Sequence, residues 1–140
     1  MSLDENIFQQ PSNKLLAALP ASDYQRLLPH LKLVSLEVPQ ILYEAGELIT
    51  QVYFPNKAMV SIVTTMEDSS TVEVGIVSNE GMVGIPVILG NRITTTTSFV
   101  QISGAAMQMN ADVLTAEFNR GEALQNLLLC YVQAVYSELA

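Results

Sequence analysis

Hydrophobic and polar residues change their spacing twice along this chain. At the front, NKLLAALP reads as a short helix that Ser12 can cap and Pro20 ends. A second helix follows, with Ser22 at its cap and Asp23 in its first turn. Leu27, Leu28 and Leu31 form its apolar side, and Pro29 kinks or closes it. The period then becomes strand-like: Leu31, Leu33 and Leu36 give way to Val38, Ile41 and Leu42, punctuated by Pro39 and Gly46. From Ile49 to Met109, β-branched and aromatic segments alternate with turn signals. The segments are ITQVYF, AMVSIVTTM, STVEVGIV, GMVGIPVIL, TTTTSFVQI and AAMQM, and the breaks fall at PNK, MEDS, SNEG, LGNR and SG. Short strands recurring every 8 to 12 residues or so predict an antiparallel sandwich or roll, not a βαβ sheet.

From Ala111 the period is helical again. Asn110 is placed to cap ADVLTAEF, Gly121 separates it from the next piece, and EALQNLLLCYVQAVYSELA continues to the last residue. On a helical wheel Leu124, Leu127, Leu128, Tyr131, Val132, Val135 and Leu139 cover one wide face. Leu129 and Tyr136 fall among the few polar positions, Gln125, Gln133 and Ser137. An apolar surface this wide exceeds what one contact hides. Half of those side chains buried on a partner, at roughly 1.5 to 3 kcal/mol each, would contribute about 5 to 10 kcal/mol before entropy costs. The helix is therefore expected to mediate a homodimer; the alternative is that it lies across its own roll.

Composition narrows the function classes. The chain of 140 residues is 49% hydrophobic and 14% charged, as expected of one globular domain with its own core. Six basic residues against fourteen acidic ones give a net charge of -8, so the chain itself is a poor nucleic-acid binder. No apolar run reaches membrane-spanning length, and MSLDENIF carries acids where a signal peptide carries basic residues, so a cytoplasmic location without membrane contact is expected. One cysteine, Cys130, permits no internal disulfide and no cluster held by several thiolates. One histidine, His30, is too few for the usual zinc sets or a cupin-type metal site, and its place after Pro29 near a helix end reads as a surface or partly buried residue, not a haem ligand. No P-loop, G-x-S-x-G or H-E-x-x-H motif is present, so neither an enzyme nor a metal or cofactor is expected. Glu44 and Glu47 flank Gly46 in a turn and read as solvated.

The order of elements and several strings resemble the effector domain of the Crp/Fnr transcription regulators, a cyclic-nucleotide-binding β-roll. The strings are NKLLAALPASDYQRLLPHL, ILYEAGELITQVYFPNKAMVSIV, VEVGIVSNEGMVGIPVILG and SFVQISGAAMQM, over about residues 12 to 140. The resemblance implies a mainly β fold with flanking helices, a jelly-roll-like antiparallel β-roll over 1–121, and the start of a dimerisation helix over 122–140. It also implies a helix-turn-helix DNA-binding domain beyond residue 140, and an effector whose binding in the roll shifts the helix. A stand-alone small-molecule binding module is the other reading of a chain of this length.

Members that bind cyclic AMP carry a phosphate cassette: a glycine followed by glutamate, then an arginine and a hydroxyl residue about ten positions on. The arginine forks onto the phosphate and the glutamate accepts from the ribose 2'-hydroxyl. Laid on this sequence, Gly84 matches the glycine, Ile85 replaces the glutamate ahead of Pro86, and the arginine position falls on Thr95 or Thr96, with Thr96 or Thr97 in the hydroxyl place. Losing two charge-assisted hydrogen bonds costs about a hundredfold to ten-thousandfold in affinity. The cassette reads as degenerate for cyclic AMP, with an unknown small-molecule effector in its place. The competing reading is a rearranged cassette in which Arg92 holds the phosphate. The threonines, if in a strand, place two side chains inward at most.

Overall fold

The computed structural model describes residues 11–139 and, for side chains, residues 11–138. Helix α1 (Lys14–Ala17) and helix α2 (Ala21–Leu27) open this part of the chain, and a single 3-10 turn, Leu28–His30, leads into the strands. The cap of α1 is Asn13, not Ser12: its side-chain oxygen accepts from the amides of Leu15 and Leu16. Helix α2 starts behind Pro20 without a side-chain cap, so Ser22 lies inside it. Proline at the 3-10 turn closes the helix as the sequence suggests.

Seven strands follow: β1 (Lys32–Leu36), β2 (Ile41–Tyr43), β3 (Gln51–Pro55), β4 (Met59–Thr65), β5 (Thr71–Val77), β6 (Thr97–Ile102) and β7 (Gly104–Asn110). They form two antiparallel sheets, ordered β1-β7-β3 and β2-β6-β4-β5. Phe54, Val52, Val60, Val100 and Ile49 are completely buried in the core, as period-two alternation predicts for inward positions. This is the mainly β roll with flanking helices expected from the pattern.

Two segments depart from their strand reading. GMVGIPVIL holds one bridge, Val83 to Tyr53, and then turns into helix α3 (Ile85–Ile88). Gly84 has φ of +120°, which turns the chain out of the sheet, and the proline that follows lacks a ladder donor and suits a helix start. Of the four threonines only Thr97 belongs to a strand. Thr94 accepts from the Thr96 amide and lies 3.0 Å from the Thr96 carbonyl, so local side-chain hydrogen bonds replace the ladder. Helix α4 (Ala111–Phe118) is capped by Asn110 as expected, and α5 (Ala123–Leu139) follows Gly121, whose φ is +74°. No helix among the described residues is long and apolar enough to cross a membrane.

Asn13 joins these layers. It is 0% exposed; besides capping α1 it donates to the Pro55 carbonyl at 2.9 Å and the Gly81 carbonyl at 2.8 Å. Asn13→Ala removes the cap and strands two carbonyls, and is expected to cost about 2 to 4 kcal/mol in urea unfolding. Asn13→Asp keeps the cap acceptor but turns both donated bonds into repulsion between a buried carboxylate and two carbonyls, and should cost at least as much as alanine. A loss below about 0.5 kcal/mol for the alanine variant would contradict this role.

Candidate functional site

The segment Asn79–Gly84 links β5 to α3, and its backbone is held from several directions. The Lys14 amide donates to the Asn79 carbonyl at 2.7 Å, and Tyr53 and Val83 exchange amide-to-carbonyl bonds at 3.1 and 2.8 Å. The Tyr43 hydroxyl lies 2.6 Å from the Gln51 carbonyl and 3.2 Å from that of Val83. Gly84 completes the corner: a Cβ there would stand 2.6 Å from Val52 Cγ1, so both its φ and its surroundings require glycine.

Behind this corner the roll holds a small, partly open cavity of about 50 Å³. Gly84, Ile85 and Pro86 form one wall, Thr94, Thr96 and Ser98 another, and Tyr43, Ile49, Ile62 and Met82 close it. None of these side chains carries a charge at neutral pH. Tyr43 is the sole ionisable group, and burial, with Tyr53 nearby, pushes its phenol well above the ordinary value. The Thr94 and Thr96 hydroxyls lie 3.3 Å apart and satisfy each other. Pockets for drug-sized ligands measure roughly 300 to 1,000 Å³. The cavity is smaller by a factor of six or more, and nothing in it would balance a phosphate charge.

Of the ligand-site residues expected from the sequence, Gly84, Ile85, Pro86 and Thr96 line this cavity and Arg92, Thr95 and Thr97 do not. Arg92 instead pairs with Asp112 at 2.6 Å and donates to the Thr115 hydroxyl at 3.3 Å, both on α4. Its backbone continues the zipper that fixes the 44–49 turn, where its carbonyl accepts from Ile49 and the Thr94 carbonyl accepts from Gly46. Thr95 is exposed, and Thr97 accepts from the Ala45 amide. Sequence reasoning missed Tyr43, Ile49, Ile62, Met82, Thr94 and Ser98. Ser98, next to the threonine run, Thr94 within it and Met82 two residues before Gly84 could have been found by their nearness to the expected positions. Tyr43, Ile49 and Ile62 come from distant segments that only the fold assembles.

Helix α5 seats on the same corner. Leu124 and Leu128 are buried, at 6% and 0% exposure, and Leu127, Tyr131 and Val132 are half-buried against the core. The Tyr131 hydroxyl is 3.2 Å from the Met82 amide, which it accepts from, and 3.4 Å from the Met82 carbonyl. Burial raises its pKa, with the Met82 hydrogen bond acting in the opposite sense. Leu124 and Leu128, expected at a dimer interface, are packed into the core of their own chain, because the wide apolar arc faces inward along its centre. Val135 borders a groove of about 260 Å³ between α5, β5 and Glu80, and the Leu139 side chain lies outside the described residues. What remains uncovered is Leu129 at 46% and Tyr136 at 72% exposure, the two positions first grouped with the polar ones. Cys130 and His30 are exposed, and no cluster among the described residues could hold a metal ion.

No protein-family model and no curated protein matches the chain. Solved structures do. A regulatory subunit of a cAMP-independent protein kinase A from Trypanosoma brucei, bound to cAMP in its A site, aligns with TM-score 0.67 and 18% identity over 76% of this chain. The match takes in 40% of that subunit, so the chain spans about two fifths of its length. The N-terminal domain of a transcriptional regulator from Streptomyces coelicolor aligns with TM-score 0.67 and 18% identity, covering 90% of this chain and 88% of that one. The sensor domain of the transcriptional regulator DNR from Pseudomonas aeruginosa aligns with TM-score 0.69 and 14% identity, covering 97% and 89%. At these identities the likeness is one of fold, and the fold is the β-roll of cyclic-nucleotide-binding domains.

Proposed function

We propose that this chain is the sensory and dimerisation domain of a Crp/Fnr-like transcription regulator, and that its roll does not bind cyclic AMP in the usual way. Residues 1–121 form the sensor and residues 122–140 begin the dimerisation helix. DNA is contacted through a domain beyond residue 140, in keeping with a net charge of -8 that gives this part little attraction for phosphates. The observation that carries the reading is the uncharged cavity behind Gly84, with Ile85 and Thr96 in its wall and Arg92 tied to Asp112 outside it. Its effector is a small uncharged molecule, since burying an anion there would leave it unpaired. The uncovered Leu129 and Tyr136, beside half-buried Val132, supply the association surface on α5.

Calorimetric titration with cyclic AMP and cyclic GMP is expected to give no saturable heat up to about 1 mM. Micromolar binding that Arg92→Ala abolishes would establish the rearranged cassette instead.

Sedimentation at tens of micromolar is expected to show a dimer that Leu129→Glu combined with Tyr136→Glu converts to monomer with the fold retained. A wild-type chain that sediments as a clean monomer contradicts the association surface.

A further inference from the structure

Met82 faces two ways. Its side chain is completely buried and lines the roll cavity, while its backbone amide and carbonyl both meet the Tyr131 hydroxyl of α5. Gly81 beside it has no space for a side chain: a methyl there would collide with the hydroxyl end of the Tyr131 ring. Among the described residues, Tyr131 is the one α5 side chain that hydrogen-bonds to the roll; Gln125 bonds to Phe118 of α4, and Ser137 bonds within α5. Apolar contacts tolerate small slides, whereas a hydroxyl placed between an amide and a carbonyl is directional. The position along the helix matters as well. Leu124 and Leu128 fix the first half of α5 in the core, but past Tyr131 only the half-buried Val132 and Val135 keep it against the chain.

We propose that Tyr131 is the positioning residue through which the contents of the roll cavity set the seating of the distal half of α5. A guest that displaces the Met82 side chain moves the Met82 backbone. The phenol then either follows or loses its two partners, and the helix beyond it, carrying Tyr136 one turn past Val132, swings relative to the roll. The two states differ in whether the Tyr131 hydroxyl is satisfied, which is the difference a ligand needs in order to shift their balance. This inference rests on the reading of the chain as a sensory domain.

The test needs no identified effector, because the cavity can be filled from within. Thr96→Ile adds bulk to the cavity wall, and carbon-13 methyl NMR of the full chain then reads the Met82 methyl, the α5 methyls of Val132 and Val135, and Val52 and Val100 as core controls. The expected result is a shift at Met82, Val132 and Val135, with the α5 shifts lost when Thr96→Ile is combined with Tyr131→Phe. Equal α5 shifts in both backgrounds, or none in either while Met82 reports the filled cavity, would overturn the proposal. Should Thr96→Ile fail to fold, Ser98→Val makes the same perturbation from the neighbouring position. Gly81→Ala acts from the other side: it should displace the phenol and move the α5 methyls with the cavity unfilled, and unmoved α5 signals count against the proposal. Sedimentation of the same samples separates the two readings. A monomer that keeps the coupling refutes helix-mediated association alone, and a dimer without the coupling refutes Tyr131 alone.

Discussion

From Asn79 the backbone enters the interior, and over Gly81–Gly84 it is buried between the roll and its helices, where an amide or carbonyl has to find a partner or carry a desolvation cost of about 1 to 3 kcal/mol. The partners come from every layer of the fold. The helical front supplies the Asn13 amide and the Lys14 backbone, the sheets supply Tyr53 and the Tyr43 hydroxyl, and the C-terminal helix supplies the Tyr131 hydroxyl. Because the contributors are so far apart in sequence, this segment can be satisfied only when the whole domain is assembled. It also gives the two ends of the chain a common point of contact.

The same requirement shapes the site. Gly84 reverses the chain at a φ that other residues resist, and Met82, two residues before it, and Ile85, directly after it, are thereby brought to one cavity. Ile85 and Thr96 both stand in the wall of that cavity. Both are uncharged, and Arg92 is committed to Asp112 on α4. The cavity wall is thus uncharged, and Met82 within it is hydrogen-bonded through its backbone to Tyr131 of α5.

Much of the architecture was legible in the residues. Period-two alternation located most of the strands, and Asn110 and Gly121 marked the ends of α4. Three features were not legible, each for a physical reason. Ser12 and Asn13 are both acceptable caps, and only the carbonyls of Pro55 and Gly81, more than forty residues away, select Asn13. The threonine run has high strand propensity, but the Thr94 hydroxyl offers the backbone a local partner that ends the ladder early. On α5 the wheel gave the width of the apolar arc without saying which part of it meets the roll. Tyr131 landing on Gly81 settles that, and it leaves Leu129 and Tyr136 outside.

If the 79–84 segment and α5 form one unit, the amide of Met82 should report it. Hydrogen exchange of that amide, measured residue by residue in the native protein, tests this most directly. The account predicts that the Met82 amide opens with the same free energy as the amides in the second half of α5, and well before those of Phe54 and Val100 in the core. A Met82 amide protected as strongly as Phe54, and indifferent to opening of α5, would contradict it.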